Sequence, residues 1–84
     1  MTKEELRTKL RQEGIPENWY SLENAGNRDQ KICLDNQSRK WVVYYSERGA
    51  KLRLKDHNSE NAACEDVYNR LTDWYESDKR RKNQ

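Results

Sequence analysis

Lys40-Trp41-Val42-Val43-Tyr44-Tyr45-Ser46 is filled almost completely by β-branched and aromatic residues, the side chains that suit a pleated and half-buried surface. It reads as the central strand of a sheet. Glu47-Arg48-Gly49 follows as a short hairpin loop, with Gly at the position that needs positive φ. Beyond it Lys51-Leu52-Arg53-Leu54-Lys55 alternates, which puts Leu52 and Leu54 on one face of the next strand and three cations on the other. On the N-terminal side, Lys31-Ile32-Cys33-Leu34 makes a strand, and Asp35-Asn36-Gln37-Ser38 stops it because such side chains favour turns. Three antiparallel strands in meander order result.

Helices flank the meander. Thr2-Lys3-Glu4-Glu5 has the Thr-x-x-Glu form in which hydroxyl and carboxylate satisfy each other's free helix-start amides. A helix starts there, carries Leu6 and Leu10 on one face, and ends at Gly14 with Ile15 as a hydrophobic clasp. Trp19, Tyr20 and Leu22 form either a first extended segment or an anchor beneath that helix, and Glu23 to Asp29 reads as a polar loop. Asn58 or Ser59 caps a second helix, whose Ala63, Cys64, Val67, Tyr68, Leu71, Trp74 and Tyr75 recur at three- and four-residue spacing. The expected fold is α+β in two layers, α-β-β-β-α, with both helices on one face of a three-stranded antiparallel meander.

The whole chain has 84 residues, room for one domain. Leu, Ile, Val and Phe total only 12, but three Trp and five Tyr supply burial area that keeps a compact domain the better reading than disorder. Residues 1–78 are expected to form it, and 79–84 a basic disordered tail. The net charge of +2 divides at that boundary. Without Lys79, Arg80, Arg81 and Lys82 there remain 13 basic against 15 acidic residues, a body of −2.

The first residues are polar and charged rather than apolar, unlike a secretory signal, and the longest apolar run is Trp41 to Tyr45, far short of the ~20 residues of a membrane span. A cytoplasmic protein is expected. Cys33 and Cys64 with one histidine, His57, are too few for a zinc site, and two buried thiols are the plainer account. No metal or cofactor is expected.

Catalysis has little to stand on. A Ser-His-carboxylate set has only His57 to use, beside Asp56 at a strand-to-helix junction, and the three glycines are scattered turn residues rather than a phosphate loop. The element order does match double-stranded RNA-binding domains, which grip phosphate with lysines at the start of the second helix. That start here is Asn58-Ser59-Glu60-Asn61, with a carboxylate where attraction is needed, so nucleic-acid binding is the alternative rather than the leading reading. Lys51, Arg53 and Lys55 also have a plain role, since cations on an edge strand discourage aggregation. The second helix carries Glu60, Glu65, Asp66, Asp73, Glu76 and Asp78 against Arg70, an acidic face suited to a basic protein partner or simply to water. Val42 and Tyr44, opposite in direction to Trp41, Val43 and Tyr45, form either an exposed amphipathic patch or a covered one.

Glu13-Gly14-Ile15-Pro16-Glu17, Tyr20-Ser21-Leu22, Trp41-Val42-Val43-Tyr44-Tyr45-Ser46-Glu47-Arg48-Gly49, and Ser59-Glu60 with Ala63-Cys64 together resemble small bacterial immunity proteins of polymorphic-toxin and contact-dependent growth inhibition systems. The resemblance runs from the first helix to Leu71, and Tyr44-Tyr45-Ser46-Glu47-Arg48-Gly49 is its most specific part. It implies a non-enzymatic protein that binds a cognate toxin domain, often a nuclease, and occludes it stoichiometrically. On that reading Glu47 and Arg48 at the hairpin tip, with Tyr44 or the acidic helix face of Glu65, Asp66 and Asp73, contact the toxin. The protein itself would be a monomer or weak homodimer, with no membrane partner.

Overall fold

The computed structural model describes residues 1–23, 29–37 and 39–82, with backbone alone at Gln37 and Lys82. Its elements are α1 (Lys3–Gln12), a 3-10 turn (Glu17–Trp19), β1 (Tyr20–Ser21), β2 (Lys31–Gln37), β3 (Lys40–Glu47), β4 (Ala50–His57) and α2 (Glu60–Lys82). Residues 24–28 of the expected loop, Ser38 of the expected strand stop, and residues 83–84 of the expected tail lie outside the described residues.

The protein is α+β, but among the described residues the sheet has four strands in the order β1-β2-β3-β4 rather than three. β1 is the addition. Tyr20 and Ser21 pair parallel to Ile32 and Cys33, so the sheet is mixed. The segment carrying Trp19, Tyr20 and Leu22 is thus both things at once: Trp19 ends the 3-10 turn, while Tyr20 opens a strand. β2 also runs farther than its polar end suggested, because Asp35, Asn36 and Gln37 pair with Val42, Trp41 and Lys40. The Asp35 carboxylate tolerates this position because it accepts a hydrogen bond of 2.9 Å from the Tyr44 hydroxyl.

α1 starts and stops by local chemistry. The Thr2 hydroxyl accepts from the Glu5 amide and the Glu5 carboxylate from the Thr2 amide, a complete capping box. At the other end the amides of Ile15 and Gly14 donate to the carbonyls of Leu10 and Arg11, both at 3.1 Å. This termination requires a left-handed residue, and Gly14 supplies it with φ +78. α2 begins on Ser59, whose hydroxyl accepts from the Ala62 amide at 3.1 Å.

α2 continues through Lys79, Arg80 and Arg81, so the basic stretch expected as a tail is the last turn of a helix. Cations are favoured there by the dipole. Asp78 lies 3.7 Å from Arg81, and the Lys79 ammonium sits 4.5 Å from the centre of the Tyr75 ring. No helix among the described residues is long and apolar enough to cross a membrane.

One core unites the layers. Leu6 and Leu10 of α1, Ala63, Cys64, Val67 and Leu71 of α2, and Ile32, Leu34 and Val43 of the sheet are all buried together. The aromatics extend it along α2. Trp74 meets Trp19 and Tyr45 edge-on, with ring centres 6.5 and 5.2 Å apart, so α2, the 3-10 turn and β3 are tied by rings rather than by aliphatic bulk.

Candidate partner-binding site

β3 and β4 are joined by Arg48 and Gly49, whose φ values of +51 and +82 are both left-handed. A two-residue hairpin turn of type I′ needs that sign at each position. Gly adopts it freely and Arg does not, and the cost at Arg48 is met in part by its amide donating to Asp29 Oδ1 at 2.6 Å.

β4 pairs with β3 along its whole length, yet with a shift between Val43 and Tyr45. Val43 faces Lys55 and Tyr45 faces Leu52, so Arg53 and Leu54 together stand opposite Tyr44. This is a β-bulge, and Arg53 takes the left-handed conformation with φ +55. The bulge overturns the alternation expected for this strand. Leu52 shares the α2 side with Tyr45, while Leu54 is carried to the other side with Tyr44. Both leucines are uncovered, 43% and 51% exposed.

Between β4 and α2 lies a cleft of about 390 Å³ lined by Ile32, Tyr45, Leu52, Arg53, Arg70, Asp73 and Trp74. Its floor is apolar and aromatic, and its rim is charged. Arg70 is held rigidly: Nε donates to Asp66 Oδ1 at 2.9 Å and Nη2 to Oδ2 at 3.2 Å. His57, the last residue of β4, brings Nε2 to 2.8 Å from the same Oδ2, so one carboxylate clasps strand to helix and orients the guanidinium. Nη1 of Arg70 is buried without a hydrogen-bond partner among the described residues. The Arg53 side chain forms no ion pair or hydrogen bond among the described residues, and neither does that of Asp73.

The residues expected at a partner surface separate into three groups. Tyr44 is only 3% exposed and its hydroxyl is committed to Asp35, so of the two states open to Val42 and Tyr44, Tyr44 takes the covered one. It is not a surface contact. Asp66 belongs to the clasp rather than to an open acidic face. Glu47, Arg48, Glu65 and Asp73 remain accessible, with Glu47 half-buried, and Asp73 reaches the cleft. Leu52, Leu54, Arg53, Arg70 and Trp74 adjoin them, residues that the sequence placed on the strand and helix but not among the expected partner contacts. The Asp66/Arg70 spacing of four residues on a helix was the available signal for the clasp.

The two thiols are inert by position. Both are buried, and burial, with Glu60 nearby, pushes the Cys64 thiol from 9.0 up to about 11. No family model, no curated protein and no solved structure matches the chain.

Proposed function

We propose that this chain is a protein-binding module of the immunity type, which neutralises a cognate toxin domain by stoichiometric occlusion and performs no turnover. The binding surface is β4 with the Glu47-Arg48 hairpin tip and the cleft beside α2. What supports the reading is β4 itself: an eight-residue edge strand with two exposed leucines on opposite faces and Lys51, Arg53 and Lys55 between and beside them. Large apolar side chains ringed by charge on an otherwise well-buried small domain suit an interface. Occlusion asks for roughly 800 Å² per partner, and a strand, a turn and a cleft along one edge provide a surface of that kind.

A second copy is a poor occupant of this edge. Antiparallel self-pairing centred on Arg53 sets Arg53 against Arg53 and Lys51 against Lys55, like charges directly opposite one another. The free protein is therefore read as a monomer. Nucleic acid is the weaker alternative, because Glu60 at the start of α2 accepts the Lys3 amide at 2.9 Å and holds a carboxylate where a phosphate grip needs cations.

The test is co-purification and titration calorimetry with the variable C-terminal domain of a large secreted protein encoded immediately upstream. One-to-one binding that is lost in the Leu52→Asp/Leu54→Asp variant, with its circular dichroism unchanged, supports the reading. Absence of binding to that domain by the native protein overturns the immunity reading. Binding undiminished by both substitutions moves the surface away from β4.

A further inference from the structure

We infer that the cleft between β4 and α2 is a docking slot for an apolar side chain accompanied by a carboxylate on the partner protein, with Arg53 as the group that pairs with the acid. This deepens the binding reading above by naming what the partner must carry, and it rests on that reading only for the source of the ligand.

Three features of the cleft converge. The first is its shape and lining: about 390 Å³ between Ile32, Tyr45, Leu52 and Trp74, at the small end of the roughly 300–1,000 Å³ range of ligand sites. Tyr45 and Trp74 meet edge-on, 5.2 Å between centres and 81° between planes, so the inserted group finds a fixed aromatic corner. The second is the bulge. By taking φ +55 at Arg53, β4 turns Leu52 and Arg53 together toward α2, which sets an exposed leucine and a guanidinium unpaired among the described residues at the mouth of one cleft. A regular strand would have sent them to opposite faces.

The third is the charge left over. Asp66 occupies Nε and Nη2 of Arg70 and cancels its charge, and Nη1 is buried out of reach of an incoming group. Arg70 is thus neutralised, and among the described residues the unpaired charged side chains of the lining are the Arg53 guanidinium and the Asp73 carboxylate. An incoming carboxylate pairs with Arg53 at the mouth, and guanidinium groups are the side chains best shaped to receive it. Lys55, which faces the buried Val43 on the α2 side of the strand, adds a second cation beside the cleft and tips the balance toward an acid.

The experiment is a titration of the full chain, labelled with ¹⁵N, with N-acetyl-phenylalanine and separately with N-acetyl-phenylalaninamide, which has the same ring and no carboxylate. The acid is expected to cause saturable shifts at Leu52, Arg53, Asp73 and the Trp74 indole, with the amide at least tenfold weaker. Arg53→Gln should weaken the acid at least threefold, and Asp73→Asn should tighten it. Arg53 is exposed, so its replacement leaves the fold readable by the rest of the spectrum. Equal binding of acid and amide, shifts confined to other surfaces, absence of saturation up to tens of millimolar, or weakening by Asp73→Asn each overturns the inference. With the toxin domain in hand, undiminished binding by Arg53→Gln would overturn the slot while leaving the immunity reading standing. Failure of the native protein to bind that domain would do the reverse, since the amino-acid titration decides the slot on its own.

Discussion

β2 and β4 both pair antiparallel with β3 over nearly their full lengths, yet one is buried through its centre and the other is open. Ile32, Cys33, Leu34 and Asp35 are all buried, whereas every residue from Ala50 to Asp56 is exposed. Hydrogen bonding to β3 is shared, so it cannot be the cause. What differs is cover. β2 lies between two strands with the core of α1 and α2 above it, while among the described residues β4 has a neighbour on one side only and the cleft lies between it and α2. Stability is concentrated on the β2 side, and the surface open to a partner on the β4 side.

The sharpest way to break this contrast is to truncate a leucine on each strand. Leu34→Ala should lower unfolding free energy by about 2–5 kcal/mol, because a filled site becomes a cavity. Leu54→Ala should change it by no more than about 0.5 kcal/mol. Urea denaturation monitored by tryptophan fluorescence measures both, and equal losses would show that β4 carries as much of the fold as β2.

The clasp is where the open strand is tied down. Asp66→Ala leaves the Arg70 guanidinium mostly buried without its acceptor and frees His57, so a loss of about 2–3 kcal/mol is expected. Glu65→Ala, one residue away but exposed, should cost less than about 0.5 kcal/mol in the same denaturation assay.

Thiol chemistry sharpens the contrast further. Cys33 and Cys64 should react with a disulfide reagent only as fast as the protein opens, while a Leu54→Cys thiol reacts at once. Because Cys64 in the folded chain holds its proton up to about pH 11 against 9.0 when exposed, the unfolded chain loses that proton first. Stability is therefore undiminished by this group below pH 9.0 and falls as pH rises from there toward about 11. Urea midpoints across that range should drop more steeply for the native protein than for Cys64→Ala.

The smallest effect is at the hairpin. Asn accepts left-handed φ more readily than Arg, so Arg48→Asn should raise stability by about 0.5–1 kcal/mol, read as an increase in thermal midpoint. A loss instead would mean that the Arg48 side chain supports the open strand by a contact beyond its backbone amide.

Much of this architecture is legible in the chain. The capping box at Thr2, the stop at Gly14 and Ile15, the aromatic strand at Trp41–Tyr45 and the stripe of α2 are local patterns, and local patterns survive into the fold. What escaped depends on contacts between distant residues. Tyr20-Ser21 is too short to announce a strand, and it becomes one only because β2 is beside it. Asp35 looks like a turn residue until the Tyr44 hydroxyl is placed above it. The basic end of α2 resembles a tail because charge runs usually are solvated, but helical spacing also sets Lys79 over Tyr75. At the binding edge, Leu52-Arg53-Leu54 is a perfect alternation on paper. No glycine marks the bulge that breaks it, so the cleft and its arginines could not be assembled from spacing alone.

The bulge also limits what can grow from this edge. A ladder that adds identical strands without end needs one frame, repeated at every rung. Here the frame slips at Arg53, so a strand laid in step with Ala50–Leu52 falls out of step with Leu54–His57. Such an edge admits a short visiting segment, yet it gives no template for a fibre.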